Sequence, residues 1–210
     1  MKEESTRSLG LALVPSRQDC QYIREMVVDC KRAGMSFSFA LSDDSNLIPH
    51  LSIMQGVFRH FERAIASLES LEKSKISPRL EVLDVSIWAT KILFLNFKEV
   101  DWLKQLHQQA FDLWIPISER VSADPQKFQG ITPGQQASFD RTGYPFALDQ
   151  YLPHITLAHL LGNKDNGATL AVLSDLLSKR NLRKVELERL VVFKVEPLGA
   201  CREIVREWRL

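Results

Sequence analysis

Pro49-His50-Leu51-Ser52-Ile53 and Pro153-His154-Ile155-Thr156-Leu157 are the two stretches that decide how this chain folds. Each sets a histidine after a proline, then an apolar residue, a hydroxyl residue and a second apolar residue. In extended backbone, residues i and i+2 share a face. His50 and Ser52 therefore point one way and Leu51 the other, and His154, Thr156 and Ile155 repeat the arrangement. Two such strands, side by side or facing, present two imidazoles and two hydroxyls to one cleft.

The first stretch sits in an alternating order of elements. Residues 9–14 read as a strand ended by Pro15. Ser16, with Asp19 three residues on, opens a helix. Ile23, Met26, Val27, Cys30 and Ala33 recur at helical spacing, and Gly34 closes it. Residues 36–41 predict a short strand before the polar run 42–46, and residues 50–55 the next strand. Phe58, Phe61, Ile65, Leu68 and Leu71 mark a second helix, stopped by Pro78. Residues 80–89 alternate as a half-buried strand, and the continuous run in 92–97 reads as a strand covered on both faces.

The second stretch has the same setting. A helix carrying Leu103, Leu106, Ala110 and Leu113 ends at Pro116. Residues 123–150, with Pro125, Gly130, Pro133, Gly134, Gly143 and Pro145, read as a long loop, a form that often carries function. Residues 151–161 return to strand, and Leu170, Leu173, Leu176 and Leu177 mark a helix closed near Asn181. Strands 184–195 and 202–210 follow, joined by a turn at Pro197-Leu198-Gly199. With the short strand at 36–41 set aside, the order strand, helix, strand, helix, strand occurs twice, with each histidine stretch as the third element. This predicts an α+β fold of two similar lobes, each giving one strand to a shared centre. Residues 1–210 form one bilobed domain in this reading, with lobes near 1–90 and 91–210 and strand exchange between them allowed.

Composition narrows the function classes. The 210 residues are 45% hydrophobic and 25% charged, enough apolar side chain for a core. Twenty-seven Lys and Arg against 26 Asp and Glu give a net charge of +1, which argues against a broad electropositive surface for duplex DNA. No apolar run approaches the roughly 18 residues that span a bilayer, and Glu3 and Glu4 precede the first apolar run, against a leader peptide. Cys20 and Cys30 stand on one predicted helix, about 15 Å apart and too far for a disulfide. With Cys201 they read as reduced thiols, and the protein as cytoplasmic and free of membrane.

Two imidazoles and two hydroxyls suit phosphodiester chemistry. One imidazole takes a proton from the nucleophile and the other gives one to the leaving oxygen. A pKa of roughly 6.5 lets both forms exist near neutrality. The hydroxyls donate to phosphate oxygens, where charge builds. No HExxH and no Cys/His zinc spacing is present, so no metal or other cofactor is expected. His50 and His154 are the catalytic candidates and Ser52 and Thr156 the phosphate-binding ones. Phe139, Arg141 and Tyr144 precede the second stretch, and Arg141 and Tyr144 are candidates for pairing with phosphate and stacking on a base. His60 and His107 read as solvated or partly buried helix residues. Trp88, Trp102, Trp114 and Trp208 read as core or lobe-interface side chains.

The paired pattern resembles the 2H phosphoesterases, especially the branch with bacterial 2′-5′ RNA ligases and cyclic nucleotide phosphodiesterases. Residues 153–158 are close to that branch's second motif, residues 50–53 are similar to its first with Ser for the commoner Thr, and residues 92–95 look like the strand opening its second lobe. The resemblance implies two pseudo-symmetric lobes, each an antiparallel-rich sheet with helices outside, around a central cleft. It implies hydrolysis of 2′,3′-cyclic phosphates, or cleavage or ligation of 2′,5′ linkages, on small nucleotides or RNA ends. A non-catalytic module holding an RNA end or nucleotide in the same cleft is the alternative. His159 stands where the family often has Arg, and strand parity turns it away from His154. Met54-Gln55-Gly56 replaces the family's aromatic and Gly.

Overall fold

The computed structural model describes residues 6–42, 45–71, 73–88, 91–119, 131–142, 144–161, 166–196 and 199–210. Glu3, Glu4, Asp43, Asp44, Pro125, Gly130, Gly143, Pro197 and Leu198, which figured in the sequence reading, lie outside them. Eight strands are described: β1 (Arg7–Pro15), β2 (Phe37–Ala40), β3 (Leu51–Phe58), β4 (Arg79–Ile87), β5 (Ile92–Phe97), β6 (His154–Leu160), β7 (Lys184–Val195) and β8 (Cys201–Arg209). The helices are α1 (Arg17–Arg32), α2 (Phe61–Ser67), α3 (Asp101–Trp114), α4 (Pro133–Thr142) and α5 (Asn166–Arg180).

All strand pairs are antiparallel, and β3, β1, β7 and β8 lie side by side, as do β2, β6, β5 and β4. The two groups meet where Leu51 pairs with Ile155, and again where β4 pairs with the first residues of β7. Sequence halves and strand partners do not coincide. β7 and β8, from the end of the chain, lie beside β1, whereas β2 and β4, from its beginning, lie with β5 and β6. Antiparallel neighbours need no covering crossover, so strands distant in sequence can pair freely.

Local signals explain most element ends. Ser16 accepts from the backbone N–H of Asp19, capping α1. α1 and α5 are joined by Arg180, which reaches Asp29 and Glu25. Two elements depart from the expectation. Phe58 belongs to the end of β3, not to the second helix, because its ring is fully buried edge-on to Trp114. Within the expected long loop stands α4. Its start is a reciprocal capping box: Gln135 N–H donates to Thr132 Oγ1, and Thr132 N–H donates to Gln135 Oε1. Pro133 follows the cap, where its missing N–H costs nothing.

Candidate active site

Strand register assembles the site. Leu51 opposite Ile155 is the one ladder pair that β3 and β6 share among the described residues. In an antiparallel pair the two residue numbers keep a constant sum, so His50 stands across from Thr156 and Ser52 across from His154. Leu51 and Ile155 are buried in the core, which turns all four polar side chains to the other face. The histidines are largely buried, and the hydroxyl residues are half-buried.

Each imidazole is fixed by its own chain. His50 Nδ1–H donates to Ile48 O at 2.9 Å, and His154 Nδ1–H donates to Leu152 O at 2.7 Å. The same short loop, with the carbonyl two residues back, sets the tautomer of both rings. Aromatic side chains then wall each ring. Phe94, on β5, lies 4.0 Å from His154 between centroids, Phe146 meets it edge-on at 5.3 Å, and Phe193 of β7 lies 4.7 Å from His50.

The second nitrogens have different surroundings. His50 Nε2 faces the carbonyl of Gly199, in the β7–β8 turn, at 3.2 Å. Burial pushes the pKa of His50 down, and the two carbonyls it faces oppose that shift. For His154, burial pushes the pKa to about 4, the Leu152 carbonyl opposes, and the charge of His50 adds to the lowering. Gln55 Nε2 donates to Ser52 Oγ at 3.4 Å, leaving the Ser52 proton to point elsewhere.

The remaining candidates are dispersed. Arg141 is exposed on α4, its guanidinium 3.9 Å from the Asp149 carboxylate. Tyr144, the expected base-stacking face, is buried to about the same degree as His154, and its ring lies edge-on to Phe146. His159 shares a 2.6 Å hydrogen bond between its Nδ1 and Ser38 Oγ of β2, at the far end of β6. His107 is a correction to the expected solvated or partly buried helix residue. It is 2% exposed, in the buried stripe Leu103, Leu106, Ala110, Phe111 and Trp114. Sequence reading missed this because its neighbours Lys104, Gln108 and Gln109 are polar; the i, i+3, i+4 spacing from Leu103 was the available signal. Phe94, Phe146 and Phe193 carried no sequence signal beyond an apolar core.

Asn96, the cross-strand partner of His154, was missed as well. It is buried and donates to Asp84 Oδ1 at 2.6 Å and Ser86 Oγ at 2.9 Å. Among the described residues no three of His, Cys, Asp and Glu converge as a metal's ligands would. No described helix is long and apolar enough to cross a membrane.

Comparison with known proteins follows the same lines. Escherichia coli LigT complexed with 3′-AMP is similar over 98% of this chain and 99% of that one, at 13% identity and a TM-score of 0.55. A structure described as a phosphoesterase is similar over 98% and 99%, at 13% identity and a TM-score of 0.54. Usb1 of Kluyveromyces marxianus is similar over 97% and 98%, at 13% identity and a TM-score of 0.51. At such identities the likeness is one of fold. No curated protein matches the sequence. The model of one family, described as "Protein of unknown function (DUF1045)", matches residues 60–200, which hold the second histidine stretch but not the first. With most of its length so matched, the chain belongs to the DUF1045 family, and it carries that family's sequence on the fold of the 2H phosphoesterases.

Proposed function

We propose that the protein is a metal-independent phosphodiesterase for 2′,3′-cyclic phosphates or 2′,5′-linked nucleotides or RNA ends. The observation that carries this reading is the register that sets His50 across from Thr156 and Ser52 across from His154. The likeness in fold to LigT, whose structure holds 3′-AMP, supports a small nucleotide or RNA end as the substrate. Both imidazoles are pushed down by burial, and their unlike neighbours, a carbonyl at His50 Nε2 and aromatic rings beside His154, divide the proton work between them. His154, neutral at pH 7 with its lone pair on Nε2, takes the proton of the attacking water. As the new P–O bond forms, the bond to the 2′ or 3′ oxygen breaks. His50 acts in its charged form, which carries a proton on each nitrogen and which the two facing carbonyls favour against burial. Its Nε2–H, released from Gly199 O, gives its proton to that leaving oxygen and leaves the neutral Nδ1–H ring. Ser52 and Thr156 donate to the non-bridging oxygens, where negative charge accumulates.

In this reading residues 1–210 act as one bilobed unit in the cytoplasm, where the three unpaired thiols stay reduced. Arg141, exposed on α4, adds a cation for an incoming phosphate. One observation favours the alternative, a nucleotide-binding module without turnover: Gly199 O already occupies His50 Nε2. A panel of 2′,3′-cyclic nucleotides, an ADP-ribose cyclic phosphate and 2′,5′-linked oligoadenylate, each with EDTA present, decides between them. Turnover of at least one substrate, undiminished by EDTA, is the expected result. Binding without turnover would favour the module. Activity lost in EDTA and restored by a divalent ion would overturn metal independence.

A further inference from the structure

We propose that His107 is a positioning residue that locks the two histidine strands in register, as a neutral ring protonated on Nδ1. The inference rests on the reading of the cleft given above. Its ground is a hydrogen-bond pattern that joins β3 to the turn leading into β6 through one buried side chain. His107 Nδ1–H donates to Ile53 O at 2.5 Å, one residue past Ser52. His107 Nε2 accepts the backbone N–H of Leu148 at 2.8 Å, six residues before His154. A carbonyl on one nitrogen and an N–H on the other admit only that tautomer.

Each end of the clamp lies where the backbone has left its regular pairing. Between β1 and β3 the register slips from Leu11 opposite Met54 to Ala12 opposite Ser52, so Ile53 has no partner residue on β1. Leu148 has φ of 55°, the left-handed region that a residue with a β-carbon seldom adopts without support. Its side chain packs against the core, and its N–H is the group that His107 holds.

A second tie runs in parallel. The Tyr151 ring stacks on His107 at 4.2 Å and 16° between planes, and the Tyr151 hydroxyl donates to Ser52 O at 3.3 Å. Beyond Leu51 and Ile155, β3 and β6 share no further described ladder pair. His107 and Tyr151 tie Ile53 and Ser52 of β3 to the segment that leads into β6, and through these ties they hold the distance from Ser52 to His154. A phosphate held by both strands requires that separation to be constant to a fraction of an ångström.

The test uses the full chain with His107→Leu, His107→Gln and Tyr151→Phe. Nitrogen-15 and proton NMR of the imidazoles is run beside kinetics on 2′,3′-cyclic AMP. In the wild type, His107 is expected as the neutral Nδ1–H form at pH 7. In His107→Leu, kcat falls about 10- to 100-fold while KM changes less than about threefold. The His154 titration moves back toward that of an ordinary imidazole as water enters the loosened seam. His107→Gln, which can still both donate and accept, recovers part of kcat. Tyr151→Phe keeps the stacked ring, and gives a smaller change in the same direction.

A charged or Nε2-protonated His107, or an unmoved His154 titration and kcat in His107→Leu, would overturn the proposal. If His107→Leu does not fold, Tyr151→Phe decides: an unmoved His154 titration and kcat overturn it. If the wild type turns over no nucleotide, the reading of the cleft fails, and the imidazole spectra still decide the clamp.

Discussion

His50 and His154 follow the same short pattern, and each gives its Nδ1 proton to a carbonyl two residues back. Past that bond their surroundings diverge. His50 has a second carbonyl at Nε2 and one aromatic ring against it, and His154 has rings of Phe94 and Phe146 beside it. A repeated sequence has produced a repeated orientation, while unrelated neighbours supply unlike electrostatics. In the proposed mechanism those neighbours, and not the motif, give the two copies opposite proton roles.

The comparison breaks most completely when either imidazole is removed. His50→Ala and His154→Ala are each expected to lower kcat about 10²- to 10⁴-fold on a 2′,3′-cyclic nucleotide, with the fold retained by circular dichroism. Near wild-type turnover in either variant would end the two-histidine mechanism.

Acid should separate the two sites through stability. A histidine held neutral by burial binds fewer protons folded than unfolded, so protonation favours unfolding. The contribution of His154 is thus unaffected above about pH 6.5 and declines as pH falls toward about 4. At full extent the loss is about 3 kcal/mol. His50 and His107, also held below the ordinary value by burial, act in the same direction. Urea unfolding at pH 7 and pH 4.5 should show the decline, and His154→Asn should show less of it. An equal decline in that variant would contradict the assignment.

Smaller effects belong to the hydroxyls, which sharpen the comparison because they do not titrate in this range. Ser52→Ala and Thr156→Ala should each lower kcat about 10- to 100-fold and leave both limbs of the pH–rate profile in place. A displaced limb would mean that the hydroxyl tunes an imidazole and does not simply hold phosphate.

Much of this was legible from sequence because the signals act over a few residues. The proline, the alternation of facing and the two strands follow from residues 49–53 and 153–157 alone. The Ser16 cap and the α1 stripe likewise depend on neighbours within a turn or two. α4 was equally local, since Thr132 and Gln135 spell its capping box, but it was hidden among the glycines and prolines of the surrounding run.

What the sequence by itself determined is therefore most of the elements, the face that each histidine takes, and the α+β class. Tertiary structure alone decided that β3 lies against β6, that β7 lies between β1 and β8, and that His107 is buried as a link between the two motifs. It also decided that Gly199 O meets one imidazole and that Phe94 and Phe146 wall the other. Periodicity and capping are properties of a few consecutive residues, set by backbone geometry. Pairing partners, burial and proton affinity depend on groups about 40 to 150 residues apart, which no local pattern specifies.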